Sequence, residues 1–370
     1  MKTIDKSNLD KIIDTLINDG YTVIAPVVKD GAIIYDEIEG IKDLPVGWGD
    51  EQEAGHYRIK KRNDNALFGY VVGPQSWKKF LYPQRLKLWD AEKNGRGFNI
   101  NTTETPVPKY AFLGVRACEL KAIFIQDKVF NNGMFADSYY NKVRDNIFII
   151  AVNCTQSAST CFCVSMKTGP RVKQGYDIAL TEVINKDEHY FVLEEGTVKG
   201  TELSAKIEAP NAGEKQLKAA ESAVLNAELN MKRTMNTAGI KELLYNNHDH
   251  AIWSEIATRC LACANCTMVC PTCFCSNMED TTDLTGDHAE RWRRWDSCFS
   301  LDYSKVAGGS FRTSTKARYR QWMTHKLASW IDQFGTSGCV GCGRCISWCP
   351  VGIDITKEVD NIRHSPKTKS

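Results

Sequence analysis

The sequence predicts an α+β protein, with an N-terminal mixed α/β domain over residues 1–235 and a C-terminal α-helical domain over residues 236–370. Short runs of β-branched and aromatic residues recur through the first part, which is typical of strands. Two of these runs flank a helical segment, and this order favours a parallel βαβ unit. From about residue 236, strand patterns give way to helical periodicity, tryptophan and cysteine. We therefore expect a partly parallel sheet followed by a helical domain.

The first domain is predicted to begin with an amphipathic helix that ends at Gly20. Its apolar residues are expected on one face: Leu9, Ile12, Ile13, Leu16 and Ile17. Strand-like runs at 22–28 and 32–38 then flank the turn Lys29-Asp30-Gly31, which is a β-hairpin pattern. The apolar run at 66–73 predicts a buried strand.

The middle of the chain is more regular. Strands are predicted at 109–115 and 146–152, with a helix at 119–130 between them. Cys118 and Cys154 each follow one of these strands within a few residues. Further elements are expected downstream: strands at 177–184 and 189–195, and a polar helix at 214–230.

Two matching cysteine runs dominate the second domain, each with the spacing C-x2-C-x2-C-x3-C-P. This spacing is that of ferredoxins with two [4Fe–4S] clusters, in which the fourth cysteine of one run ligates the other cluster. We therefore predict two clusters with exchanged fourth ligands. The ligands of cluster 1 are Cys260, Cys263, Cys266 and Cys349, and those of cluster 2 are Cys339, Cys342, Cys345 and Cys270.

Zinc is the alternative to iron in these runs, because a single C-x2-C pair is common to both. Two complete runs, each closed by proline, favour clusters. The small residues between the cysteines also let backbone amides approach cluster sulfurs. The insert between the runs, residues 271–338, is long for a compact ferredoxin and has mostly helical patterns, which favours a helical two-cluster ferredoxin-like domain.

A third group of cysteines lies in the first domain. The carboxyl ends of neighbouring parallel strands share one edge of a sheet, where open α/β folds place their ligands. The loop at 155–170 would bring two further cysteines there, and Arg116 would favour their thiolates. We hypothesise a third cluster held by Cys118, Cys154, Cys161 and Cys163; the alternative is a set of buried, unreactive thiols.

Three cysteines remain outside these groups: Cys273, Cys275 and Cys298. They are interpreted as thiols that pack between helices near the clusters. The alternative is that one of them replaces Cys270 as a ligand.

Composition narrows the possible functions. The formal net charge of +2 gives no reason to expect nucleic acid. The sequence has no export signal and no apolar run long enough to span a bilayer, so we expect no membrane contact and a cytoplasmic protein. In that compartment the 15 cysteines indicate metal ligands rather than disulfides. The basic stretch at 291–295 and the later Lys326 are interpreted as a solvated helix face.

No catalytic centre is evident in the sequence. The glycine-containing segments lack the dinucleotide and phosphate-loop patterns, and the seven histidines show no metal spacing. Neither a flavin nor a nicotinamide site is predicted. The cysteine runs therefore predict an electron carrier without substrate chemistry of its own.

Several segments together resemble one family: FLGVRACELKAI, NCTQSASTCFCVSMKTGP, RCLACANCTMVCPTCFC, RRWDSCFS and CVGCGRCISWCPVGIDIT. This is the 4Fe–4S dicluster family, which includes the β subunit of soluble NAD(P)-linked [NiFe] hydrogenases (sulfhydrogenases) and the A subunit of anaerobic sulfite reductase. The resemblance covers nearly the whole chain, and its middle segment is the most specific. It implies a subunit that relays electrons between a flavin- and NAD(P)-binding reductase subunit and the subunits with the terminal catalyst.

The terminal catalyst is nickel–iron in the hydrogenase small and large subunits and sirohaem in the sulfite reductase. The WCPVGIDIT segment and the overall similarity favour the hydrogenase, and the sulfite reductase is the alternative. Two other classes fit less well. If the chain were an enzyme in its own right, one iron would need an open coordination position for substrate. If it were an interaction scaffold, its clusters would be structural and would not be reversibly reduced.

Overall fold

The computed structural model describes residues 1–102, 105–186, 188–207 and 209–365. Strands and helices occur in both the N-terminal and the C-terminal parts. The strands are β1 (Lys2–Ile4), β2 (Thr22–Lys29), β3 (Ala32–Glu37), β4 (Trp48–Glu53), β5 (His56–Lys61), β6 (Arg85–Asn94), β7 (Gly97–Asn101), β8 (Tyr110–Val115), β9 (Phe148–Val152), β10 (Ile178–Ile184), β11 (His189–Glu195), β12 (Ser276–Thr282) and β13 (His288–Trp295).

The helices are α1 (Lys6–Asn18), α2 (Lys78–Leu81), α3 (Ala117–Phe130), α4 (Ser138–Asp145), α5 (Val198–Lys206), α6 (Glu214–Leu229), α7 (Ile240–Tyr245), α8 (Ile252–Arg259), α9 (Asn265–Met268), α10 (Thr315–Thr324), α11 (Trp330–Phe334), α12 (Arg344–Ser347) and α13 (Ile355–His364). Short 3-10 helices lie at Ile41–Asp43 and Gly133–Phe135, and a π-helix at His325–Ser329 joins α10 to α11.

A seven-stranded mixed sheet organises the N-terminal part, with the strand order β1-β11-β10-β9-β8-β2-β3. Its four central strands, β10, β9, β8 and β2, are parallel to their neighbours within this group. The β8–α3–β9 unit confirms the predicted parallel βαβ unit, and β8 and β9 are adjacent. The carboxyl ends of these two strands therefore meet at one edge of the sheet.

Helices cover both faces of this sheet because side chains alternate along its strands. Leu113 and Ile150 face one side with α1, whereas Phe112 and Ile149 face the other side with α3. Asp5 caps the N-terminus of helix α1, and its carboxylate accepts from the Asn8 amide at 3.0 Å. Its buried residues are Leu9, Ile12, Ile13 and Leu16. The prediction for Ile17 is wrong, since this side chain is 39% exposed.

The apolar run at 66–73 is buried but forms no strand, so that prediction is wrong. Buried charged side chains replace the strand hydrogen bonds that its backbone would otherwise need. The amides of Leu67 and Phe68 donate to the Glu182 carboxylate at 2.7 and 2.8 Å. The Arg116 guanidinium donates to the carbonyls of Phe68 and Tyr70, both at 2.9 Å.

A second sheet, with the order β12-β13-β6-β7, corrects the interpretation of the insert between the cysteine runs. Residues 291–295 lie in β13 and not on a helix, and β13 pairs with β12 and β6. Arg85 stacks on Trp292 across this pairing, with 3.9 Å from the guanidinium carbon to the ring centroid. This sheet joins strands from both sides of residue 235, and the division into two domains there stays a prediction.

The C-terminal part has its own core, in which Trp253, Phe299, Trp322 and Met323 pack together. Cysteines of both runs contact this core. Among the described residues, no helix is long and apolar enough to cross a membrane.

Two adjacent positions on α1 test the corrected helix face. Leu16→Ala should lower the free energy of unfolding by about 2–5 kcal/mol, because it leaves a cavity in the core. Ile17→Ala should change it by less than about 0.5 kcal/mol, because the side chain is largely exposed. Denaturant unfolding followed by circular dichroism measures both values. Equal losses would contradict this placement of the helix.

Candidate metal centres

The two cysteine runs fold into the same local structure. The residues two and four positions after the first cysteine have left-handed backbones in both runs: Ala262 and Ala264 at φ 51° and 67°, and Gly341 and Gly343 at φ 67° and 78°. A one-turn helix follows in each case, α9 in the first run and α12 in the second. The two runs therefore share the same sequence of backbone conformations.

Backbone amides in both runs point toward cysteine sulfurs. The Ala262 amide donates to Cys260 Sγ at 3.4 Å, and the Gly341 amide donates to Cys339 Sγ at the same distance. Such N–H···S bonds stabilise the negative charge on the sulfurs of iron–sulfur clusters. The backbone is therefore arranged to stabilise thiolate ligands in both runs.

The first cavity lies between the two runs and is lined mainly by apolar side chains, including Phe299, Trp322 and Ile353. All four cysteines predicted to hold cluster 1 line it: Cys260, Cys263, Cys266 and Cys349. Cys345, from the set predicted for cluster 2, lines the same cavity. The thiol of Cys263 is at the exposed side of this group.

The second group comprises the cysteines predicted to hold cluster 2, and these thiols also lie near one another. Burial raises the pKa of Cys339 to about 12. Burial raises the pKa of Cys345 well above its ordinary value, and the charges of Cys339, Cys342 and Cys270 add to this rise. Cys270 is the exception in this group, because a hydrogen bond from Cys273 and the charge of Lys326 lower the pKa of its thiol. Metal binding at Cys339 and Cys345 must be coupled to loss of their protons.

The third cavity lies at the carboxyl ends of β8 and β9, at the predicted edge of the sheet. Its lining includes all four cysteines of the proposed third site: Cys118, Cys154, Cys161 and Cys163. The Cys154 amide donates to the Pro170 carbonyl at 3.2 Å, which closes the loop over this cavity. Arg116 also lines it and lowers the pKa of Cys154, opposing the larger rise that burial causes.

The second and third groups are in direct contact. Cys342 of the second run lines the third cavity, and the Phe162 amide donates to the Gly341 carbonyl at 2.9 Å. A Cβ atom on Gly341 would lie 2.7 Å from the Cys163 Cα, and one on Gly343 would lie 2.5 Å from the Thr160 carbonyl oxygen. Glycine at these positions therefore permits the contact.

Two buried cations lie beside these cysteines, and their charge shows whether a negatively charged cluster would fit there. Arg116 and Lys326 are 3% and 4% exposed. Among the described residues, neither has a carboxylate within ion-pair distance. Burial lowers the pKa of both cations, but nearby cysteine sulfurs outweigh this effect: Cys154 raises the pKa of Arg116, and Cys270 and Cys273 raise that of Lys326. A buried cation needs an anion, and thiolate-ligated iron–sulfur clusters supply one.

A buried ion pair joins the second run to the sheet. The Arg344 guanidinium donates to the Glu119 carboxylate, and both side chains are fully buried. The Tyr35 hydroxyl and the Trp77 indole N–H also donate to this carboxylate, at 2.6 and 3.1 Å. The pair thus fixes the second run against α3, the helix that carries Cys118.

The three remaining cysteines lie outside helices, and Cys275 and Cys298 pack against the core of the C-terminal part. Cys275 precedes β12 and Cys298 follows β13, and their thiols hydrogen-bond to each other at the base of this hairpin. Cys273 Sγ is 3.5 Å from Lys326 Nζ. Across the described ranges, no three histidine, cysteine or acidic side chains converge closely enough to hold a single metal ion.

Sequence reasoning missed Lys326, Arg344 and Glu119. Lys326 was expected on a solvated face, and its burial is a correction. These three residues carry no local signal, because each acts through partners that are distant in sequence.

Comparisons with known proteins match the region that contains both cysteine runs. Residues 259–353 match the family model of the 4Fe–4S dicluster domain. Over 329 residues the chain is 30% identical to sulfhydrogenase 2 subunit beta of Pyrococcus furiosus, and the match covers 87% of this chain and 94% of that protein. The chain belongs to the sulfhydrogenase β-subunit family.

Membership of the sulfhydrogenase β-subunit family confirms the resemblance read from the sequence and makes this chain an iron–sulfur, electron-transfer subunit of that family. A search of solved structures gave no match.

The buried ion pair predicts a large difference between two arginines. Arg344→Met leaves the Glu119 carboxylate buried without its cation, which should lower the free energy of unfolding by about 3–5 kcal/mol. Arg291→Met removes an exposed pair with Asp280 on the second sheet and should have little effect. Denaturant unfolding of both variants gives the comparison. A stable Arg344→Met variant would contradict the structural role of this pair.

Proposed function

We propose that this chain relays electrons through three [4Fe–4S] clusters within an NAD(P)-linked [NiFe] hydrogenase complex. The ligand sets of the proposal are Cys260, Cys263, Cys266 and Cys349 for cluster 1, Cys339, Cys342, Cys345 and Cys270 for cluster 2, and Cys118, Cys154, Cys161 and Cys163 for cluster 3. The observation that carries it is the contact between successive groups: Cys345 borders the first cavity, and Cys342 borders the third.

These shared borders support a linear path with cluster 2 in the middle. The first cavity opens beside the exposed Cys263, whereas Cys118, Cys161 and Cys163 are buried. One partner would therefore exchange electrons with cluster 1, and the other would approach the edge of the sheet near cluster 3. Bound clusters supply one-electron transfer, and the protein supplies ligation, burial and hydrogen bonds that set their potentials.

The residues around each cluster have distinct tasks in this proposal. The cysteines hold the iron, and the Ala262 and Gly341 amides stabilise ligand sulfurs. Arg116 balances the charge of cluster 3, and the Arg344–Glu119 pair keeps the second run against α3. Apolar residues such as Phe299 and Trp322 exclude water from cluster 1.

The proposed partners are a reductase subunit that binds flavin and NAD(P) and the small and large subunits of the [NiFe] hydrogenase, in the cytoplasm. The relative from Pyrococcus furiosus is named as a subunit of a sulfhydrogenase, which supports this choice over sulfite reduction. The corresponding iron–sulfur subunit of an anaerobic sulfite reductase would have the same relay role with a sirohaem partner.

Loss of one cysteine tests the third cluster. Cys161→Ser should lower the iron content of the anaerobically purified chain by about four atoms, because one [4Fe–4S] cluster is lost. Cys298→Ser is the matched control, since it removes a buried thiol outside the three ligand sets, and should keep the full iron content. Iron analysis and electron paramagnetic resonance (EPR) spectra measure both variants. Unchanged iron in Cys161→Ser would rule out this ligand set.

Metal analysis of the native complex tests the partners. The complex, purified anaerobically through a tag on this chain, should contain nickel in stoichiometric amount. Sirohaem absorption without nickel would replace the hydrogenase assignment by sulfite reduction.

A further inference from the structure

Lys326 occupies an unusual position in the helical part of the chain. It lies in the π-helix His325–Ser329, where a helix with wider turns interrupts the path from α10 to α11. Such interruptions are frequent at functional sites. Here the side chain is 4% exposed and points into the protein, whereas sequence reasoning placed it in solvent.

The ammonium group of Lys326 contacts a predicted cluster ligand directly. Its Nζ is 3.1 Å from Cys270 Sγ, which is the fourth ligand in the proposal for cluster 2. It also donates to the Thr272 hydroxyl at 3.3 Å and to the Gly338 carbonyl at 3.2 Å. Thr272 in turn donates to the Gly338 carbonyl at 2.6 Å, which fixes both acceptors.

With Cys273 Sγ at 3.5 Å, the ammonium has four acceptors around it, one of which is a proposed ligand sulfur. No carboxylate among the described residues lies within ion-pair distance of Lys326, so the sulfur of Cys270 is the nearest group that can carry the balancing negative charge, and Cys273 Sγ lies 3.5 Å away. An unpaired ammonium would be expensive to bury. The negative charge that balances Lys326 must therefore come from the cysteine side.

The corresponding cysteine of the other run has a different environment. Cys349, the fourth ligand proposed for cluster 1, accepts from the Ile353 backbone amide at 3.3 Å. The bond to Cys349 comes from a neutral donor, whereas the bond to Cys270 comes from a cation. Two clusters with the same ligand chemistry would thus differ in electrostatic surroundings.

We propose that Lys326 raises the reduction potential of cluster 2 through its charge-assisted hydrogen bond to Cys270. This inference rests on the proposed function, in which Cys270 ligates that cluster. Reduction adds one negative charge to the cluster, and a nearby fixed cation stabilises the reduced state more than the oxidised state. Lys326 is a positioning residue in this role, because it holds no iron and touches no substrate.

Other cations near cluster 2 have different partners. Lys78 is also buried, but its Nζ donates to the Cys273 carbonyl at 2.9 Å and lies 3.8 Å from the Trp295 ring centroid. Arg344 is neutralised by Glu119. Arg344 also hydrogen-bonds to Cys342, a proposed ligand of cluster 2. Among the described residues, Lys326 is therefore the cation that contacts a proposed ligand sulfur of this cluster without a carboxylate partner.

The test is a redox titration of the anaerobically purified complex, followed by EPR spectroscopy. Loss of one signal in Cys339→Ser identifies cluster 2. Lys326→Gln, which removes the charge and keeps hydrogen-bond donors, should shift the midpoint potential of this signal to a lower value. Lys326→Arg should leave it close to the native value. Lys78→Met is the control for a buried lysine without a sulfur contact, and it should produce a smaller shift.

Iron content separates failure of this inference from failure of the proposed function. If the native chain lacks cluster 2, the proposed function is wrong. If cluster 2 is present and its midpoint is the same in native and Lys326→Gln protein, the role of Lys326 is wrong. A shift in Lys78→Met as large as that in Lys326→Gln would overturn the role of the sulfur contact. If Lys326→Gln does not retain cluster 2, the titration is made on Lys326→Met, for which we also expect a lower midpoint potential.

Discussion

The close packing of the second cysteine run against the loop that carries Cys161 and Cys163 is the constraint on which the rest of the structure depends. Gly341 and Gly343 allow this contact because a Cβ atom at either position would meet backbone atoms within 3 Å. The contact brings Cys342 to the third cavity. The cysteines at the edge of the sheet and the cysteines of the two runs therefore form one continuous series.

Buried charge is the second determinant of the arrangement. Arg116 and Lys326 are held beside cysteines without a carboxylate at ion-pair distance among the described residues, whereas Arg344 is paired with Glu119. Arg116 and Lys326 favour negatively charged clusters. The Arg344–Glu119 pair fixes the position of the second run relative to α3. Buried cations thus have two roles here: those beside cysteines balance cluster charge, and the one beside a carboxylate holds the fold together.

The sequence predicts what depends on local patterns. The β8–α3–β9 unit follows from apolar runs of suitable length, and Cys118 and Cys154 follow from the rule that parallel strands end at one edge. The hairpin of β12 and β13 was missed because it is stabilised by β6, almost two hundred residues upstream. Lys326 resembles a surface lysine in sequence, since the thiols and carbonyl that receive its hydrogen bonds belong to other segments.

The proposed series of three clusters in contact is tested most directly by the iron and acid-labile sulfide content of the native chain, combined with EPR spectra of its fully reduced form. We expect about twelve iron atoms per chain, as three [4Fe–4S] clusters require, and spectra broadened by magnetic interaction between neighbouring clusters. About eight iron atoms, as two such clusters require, with spectra of independent clusters would contradict this claim.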